Sequence, residues 1–217
     1  MNPGSIASYI KDQTGRSYRI SRMISSPLYS AALFPATVPV GTERTFFTAG
    51  VGATGQGFAA ALTERETNLD TSGKLPDEQV FLVNKIGVKI DQTPWLKDTD
   101  GDLLVLPTLM ADFLSHAVLS YEQPGYKHTY GCVWEFPAGG GQAGYSVVTN
   151  NSVVNNGAPT VDSMYHLQLP ILILGGASFK FLINMLGADG FAAMANVTAF
   201  TVWIQLHGIL ATAVVPG

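Results

Sequence analysis

A chain of 217 residues can be one large β domain or two small ones, and its 23 glycines, 12 prolines and only 13% charged residues fit short strands and many turns rather than a helical bundle or a disordered chain. The net charge of −4 is unevenly spread: Lys11, Arg16, Arg19 and Arg22 oppose Asp12 alone in the first 22 residues, a local +3 that leaves −7 for the rest. With 47% hydrophobic residues and so few charges, the folded chain either has part of its outside covered by other copies or partners, or carries a neutral surface rich in Ser, Thr, Asn and Gln.

Cys132 is the single cysteine, which excludes an intramolecular disulfide and a cysteine-based zinc site built from one chain. The N-terminus has no charged region followed by an apolar core, so a secretory signal is not expected. Residues 1–40 combine the four basic residues with Pro27, Pro35 and Pro39 and show no sustained period. They are expected to form an extended arm ahead of a domain spanning 41–217. A basic arm on an acidic body can touch nucleic acid or anionic lipid through Lys11, Arg16, Arg19 and Arg22; the plainer reading is an ordinary solvated leader.

Arg44 to Val51 is expected to be the first strand of the body. Gly52, Gly55 and Gly57 then form a loop, not a phosphate cradle: the spacing is wrong for a dinucleotide fingerprint, and no Gly-Lys-Ser or Gly-Lys-Thr ending follows. After Thr67-Asn68-Leu69, a turn at Asp70 to Gly73 and Leu75-Pro76, a long strand is expected over Val80 to Ile90, with a bulge or close packing at Gly87 and with Lys85 and Lys89 on a solvent edge.

Asp98-Thr-Asp100-Gly101-Asp102 sets alternate carboxylates in a glycine turn, a pattern that can converge hard oxygens on Ca²⁺. Counted from Asp98, the sixth and twelfth positions are Leu103 and Leu109 rather than the glycine and glutamate of an EF-hand, so a solvated turn is the alternative. Pro107 to Glu122 is the one helix expected: Leu109, Met110, Phe113, Leu114, Ala117, Val118 and Tyr121 recur with helical spacing, Thr108 can cap the start, and Pro124-Gly125 can stop it. That stripe reads as core.

Tyr130 to Phe136 returns to strand character, the glycine run to Gly141 opens a loop, and Asn150 to Pro159 is a polar, turn-rich stretch. The final fifty residues carry the clearest strand signals. Leu167 to Leu174 ends in Gly175-Gly176, Ala177 to Met185 follows, and Phe200, Val202, Ile204 and Leu206 alternate with Thr201, Gln205 and His207, broken only by Trp203. No Asp, Glu, Lys or Arg occurs from Phe191 to Gly217. The segment must lie between sheets or in a membrane; the two-residue period and the desolvation of Asn196, Gln205 and His207 favour the sheets.

No enzyme signature emerges. His116, His128, His166 and His207 form neither a His-x-His nor a His-x-x-x-His pair, Ser146 lacks the second glycine of a nucleophile elbow, and Cys132 reads as a small packed side chain. Glu64, Glu66 and Glu135 could pair with other acids for glycoside hydrolysis, but sequence spacing cannot set the separation that chemistry needs. No repeat at a fixed period of 20 to 50 residues points to a propeller or solenoid.

Laid out this way, the chain resembles the jelly-roll coat proteins of small tailless icosahedral viruses, bacteriophages in particular. The likeness rests on Thr67-Asn68-Leu69 with Leu75 to Val88, on Leu167 to Ile183, and on the closing Val202 to Gly208. The resemblance implies an all-β fold: a single jelly-roll β-sandwich of two antiparallel sheets, here with one inserted helix. It further implies a capsid subunit, made in the host cytoplasm and residing in the virion, that self-assembles into an icosahedral shell enclosing the genome and needs no catalytic residue. The partners implied are other copies of the chain, other virion proteins, and the genome or an internal membrane reached by the arm. The alternative reading is a virion spike or receptor-binding protein, or a soluble carbohydrate-binding sandwich using Trp95, Trp134 or Tyr145 beside the acidic loop.

Overall fold

The computed structural model describes residues 3–35, 38, 40–91, 113–137, 164–186 and 199–213. Among these residues one helix, α1 (Pro3–Thr14), precedes eight strands: β1 (Tyr18–Phe34), β2 (Glu43–Phe46), β3 (Gln79–Ile90), β4 (Ala117–Gln123), β5 (Tyr126–Cys132), β6 (Tyr165–Leu174), β7 (Lys180–Met185) and β8 (Phe200–Ala213). They form an all-β sandwich of two antiparallel four-stranded sheets, ordered β1-β8-β3-β6 and β2-β7-β4-β5. First pairs with last, second with seventh, third with sixth, fourth with fifth. The chain is thus a long hairpin of paired strands, stitched into two sheets by β3 against β8 and β4 against β7.

The core between the sheets is built by period two. Phe200, Val202, Ile204 and Leu206 of β8 are buried on the inner face. They meet Phe181, Ile183 and Met185 of β7 and Leu119 and Tyr121 of β4. The expected strands over Val80 to Ile90, Leu167 to Leu174 and the C-terminal segment all form, and β8 lies between β1 and β3 inside a sheet. On β3 the inward set changes parity, from Phe81 and Val83 to Ile86, Val88 and Ile90, because both ladders of this strand shift register between Val83 and Lys85. The bulge lies here and not at Gly87. Trp203, the exception to the alternation of β8, faces outward, where its indole N–H donates to the Arg65 carbonyl at 3.2 Å and Lys89 lies over the ring at 5.5 Å.

In place of the expected extended arm, residues 3–34 form α1 and β1. Pro3 suits the first turn of a helix, Ile6, Tyr9 and Ile10 fall on one face, and Gly15 closes the helix in the left-handed region (φ 67°), donating its N–H to the Lys11 carbonyl at 2.7 Å. That face seats on the outer side of the first sheet, against Val80 and Leu82 of β3 and Ala211 and Ala213 of β8, as a second small core. β1 escapes a period search because Ser30 and Ala32 occupy inward positions between Leu28 and Phe34. Pro27 is tolerated because β1 is an edge strand.

The expected helix over Pro107 to Glu122 is also corrected. Residues 107–112 lie outside the described set, Phe113 to His116 make one helical turn, and Ala117–Gln123 is strand β4. Ala117, Leu119 and Tyr121 are buried at alternate positions, a pattern that competes with the helical one over so short an apolar run. Arg44 to Val51 contributes a shorter strand than expected, β2, ending at Phe46.

Candidate assembly surfaces

The two lateral sides of the sandwich differ. On the β1–β2 side the opening is closed by Arg44, whose Nε donates to the Leu33 carbonyl at 2.9 Å and whose guanidinium sits 5.9 Å from the centroid of the Phe34 ring. The free edge of β1 is partly paired as well. Asn68 accepts the Tyr29 N–H on Oδ1 at 2.9 Å and donates Nδ2 to the Pro27 carbonyl at 2.8 Å, while the Leu33 N–H reaches the Gln56 carbonyl at 2.8 Å. The glycine loop at 52–57 therefore caps a sheet edge, and its glycines have positive φ.

On the β5–β6 side, large apolar groups stand in solvent: Tyr126 is 49%, Trp134 54% and Leu169 83% exposed. A file of rings runs along the opening, from Tyr126 parallel to His128 at 6.2 Å, through Tyr130 and Phe136, to Tyr165 of β6 at 4.6 Å from Phe136. Burial, then the neighbouring phenols Tyr126, Tyr121 and Tyr165, push the Tyr130 hydroxyl well above the usual tyrosine range, so this hydroxyl stays protonated. Both strands here resist strand addition through their backbones. β5 is bulged at Tyr130 and carries the exposed Lys127, and β6 sets Leu167 to Pro170 opposite Asn84 alone. Contacts on this side therefore fall to side chains.

The outer face of the second sheet carries polar residues that pair with one another around Leu182 and Val118. Glu122 meets Lys180 at 3.1 Å, Asn184 donates to Glu43 at 2.9 Å, and the Ser120 and Thr129 hydroxyls lie 3.2 Å apart. The outer face of the first sheet carries α1 at one end and the row His166, Lys85, His207, Pro27 beyond it. Between β1, β3 and the 68–76 loop lies an open cleft of about 170 Å³ lined by Asn68, Asp70, Lys74 and Gln79, with Leu75 and Phe81 among its apolar residues.

The basic residues expected to contact nucleic acid or lipid are not gathered on a free arm. Lys11 is exposed on α1, whereas Arg16 is engaged, its Nη1 donating to the Asp77 carbonyl at 2.9 Å. Arg19 and Arg22 belong to β1, in the stretch where its pairing with β8 is irregular between Tyr18 and Met23. Asp98, Asp100 and Asp102, with Trp95 and Tyr145, lie outside the described residues. Among the described residues no three His, Cys, Asp or Glu side chains are placed to hold a metal ion. The period-two spacing of Tyr126, His128 and Tyr130 was the available sequence signal for the ring file; nothing local marked Asn68 or Arg44, whose partners are far away in sequence.

Comparison of the chain with protein families, with curated proteins and with solved structures gives no match.

Proposed function

We propose that this chain is a capsid subunit, a single jelly roll that self-assembles into an icosahedral shell enclosing a genome. The observation that carries the reading is the strand order. A long hairpin whose four pairs are β1·β8, β2·β7, β3·β6 and β4·β5, wrapped into two sheets, is the arrangement expected of an eight-stranded jelly roll of two Greek keys. The lateral asymmetry adds to it: one side is closed by Arg44 and Asn68, and the other presents Tyr126, Trp134 and Leu169 on edges blunted against strand pairing. Side-chain contacts of this kind are individually modest and add through multivalency in a closed assembly. In this role no residue performs catalysis. The partners are other copies, other virion proteins, and the genome or a membrane touched by Lys11 and its neighbours, and the place of residence is the virion.

The test is the mass of the purified full chain by light scattering, followed by electron microscopy of the same sample. Shells, or pentamers and trimers that build them, are expected. A strict monomer, unchanged by concentration, by salt and by co-expression with the other proteins of its source, would overturn the reading. The exposed Trp134 beside the ring file favours, as second choice, a saccharide-binding sandwich, for which glycan affinity in a monomer is the expected result.

A further inference from the structure

Leu169 is the most exposed of the large apolar residues described, at 83%. It stands on the bulge where four residues of β6, Leu167 to Pro170, pass Asn84 of β3 alone, which carries the chain outward from the sheet edge. Gln168 beside it is exposed too, and no charged residue occurs from Leu167 to Phe179. A lone surface leucine is ordinary. This one forms the tip of an uncharged knob, at an edge where the bulge prevents a further strand from covering it.

The same chain carries a recess of matching character. The cleft between β1, β3 and the 68–76 loop has Leu28, Leu69, Leu75 and Phe81 in its wall, all held in place by the main core. Its charged groups are one acid and one base, Asp70 and Lys74, so it carries no net charge. A water molecule needs about 10–15 Å³ of such space, so a cleft of about 170 Å³ has room for a leucyl side chain. A chain cannot fill its own cleft, because β6 and β1 are opposite edges of the first sheet.

We propose that Leu169 of one copy seats in the cleft between β1, β3 and the 68–76 loop of the next copy. The occupant is a second copy because one chain carries both halves of the contact, knob and recess, and neither brings a net charge into it. The two patches differ, so the contact is heterologous: each copy offers a knob to one neighbour and a cleft to the other, a geometry that closes into a ring when the rotation between copies allows it. One seated leucine is a modest contact, and repetition around a closed assembly adds many of them. The contact rests on the capsid reading, in which copies of the chain meet, and gives that meeting two named faces.

The test uses the full chain in a Cys132→Ser background, which removes its own cysteine. Leu169→Cys and Ser26→Cys, the second in the cleft wall, are introduced together and the protein is treated with a short bismaleimide. A ladder of covalent dimers, trimers and higher multimers is expected on a denaturing gel, with no ladder from either single variant. In the otherwise native chain, Leu169→Glu is expected to raise the protein concentration needed for assembly about tenfold or more. The thermal midpoint of the subunit should not move, since this side chain already stands in solvent. Assembly of Leu169→Glu at an unchanged concentration overturns the proposal, and so do covalent dimers from Leu169→Cys alone, which would mean that two knobs meet. Light scattering of the same samples separates the two readings: assembled protein without a ladder overturns this contact and leaves the capsid subunit standing, whereas a monomer without a ladder overturns both.

Discussion

Gly208 of β8 packs so closely on Leu82 of β3 that a Cβ at this position would overlap the Leu82 carbonyl oxygen and approach the Val83 Cα to 3.0 Å. The contact falls beside the bulge at Val83 to Lys85, and the obstacle is backbone, which cannot rotate away as a side chain would. Gly208→Ala should therefore cost about 2 kcal/mol or more, read as a lower urea midpoint. A variant of unchanged midpoint would show that the two central strands can part without penalty.

Arg44 does two things at the β1–β2 opening, donating to Leu33 and covering Phe34. Arg44→Ala is expected to lose about 1–2 kcal/mol. Arg44→Lys should recover little, because an ammonium lacks the planar face that lies over the ring. Equal stability of the lysine variant and the wild type would assign the effect to charge alone.

Asn68 satisfies one donor and one acceptor on the free edge of β1. Asn68→Ala leaves both without that partner and should cost about 1–3 kcal/mol. Asn68→Asp keeps the acceptor for Tyr29 but loses the donor to Pro27, so it should fall between. Hydrogen exchange at the Tyr29 amide reads the local effect, and protection unaltered in Asn68→Ala would remove Asn68 from the account of this edge.

Burial alone would raise the Glu66 carboxyl, but the Thr63 hydroxyl at 2.6 Å and the Thr63 amide at 3.0 Å, with the Arg65 charge, hold it below the ordinary value of 4.5. A depressed carboxyl contributes stability above its unfolded value, and that contribution disappears as pH drops through the folded one. The 63–67 turn should therefore lose amide protection as pH falls below about 4.5, and Glu66→Gln should show the weakened turn at every pH. Protection that follows the same acid profile in Glu66→Gln would assign the loss to other groups.

Much of the fold was legible where one residue type dominated one face. The alternation from Phe200 to Leu206, and the glycine pair that ends β6, mark paired strands by period and turn chemistry alone. β1 was hidden because its inward positions include Ser30 and Ala32, small residues that fit beneath Phe47 and Gln56 and carry little hydropathy. β4 was hidden for the opposite reason: apolar residues on both of its faces, with Phe113 and Leu114 just ahead, satisfy a helical and a strand pattern together. The surfaces were less legible than the core. Lys85 and His207 are 122 positions apart, and only the register of β3 on β8 brings them face to face.

The pairing of β1 with β8 also orders events during synthesis. The 17 residues of Tyr18–Phe34 leave the ribosome well before the strand that hydrogen-bonds them, Phe200–Ala213. Until then β1 has no sheet to join, and β3 lacks its central neighbour. Contacts this distant along the chain fold slowly, on the order of milliseconds to seconds in comparable β proteins. Throughout that interval the nascent chain carries a strand without its sheet partner, which must be kept from its neighbours on the same messenger.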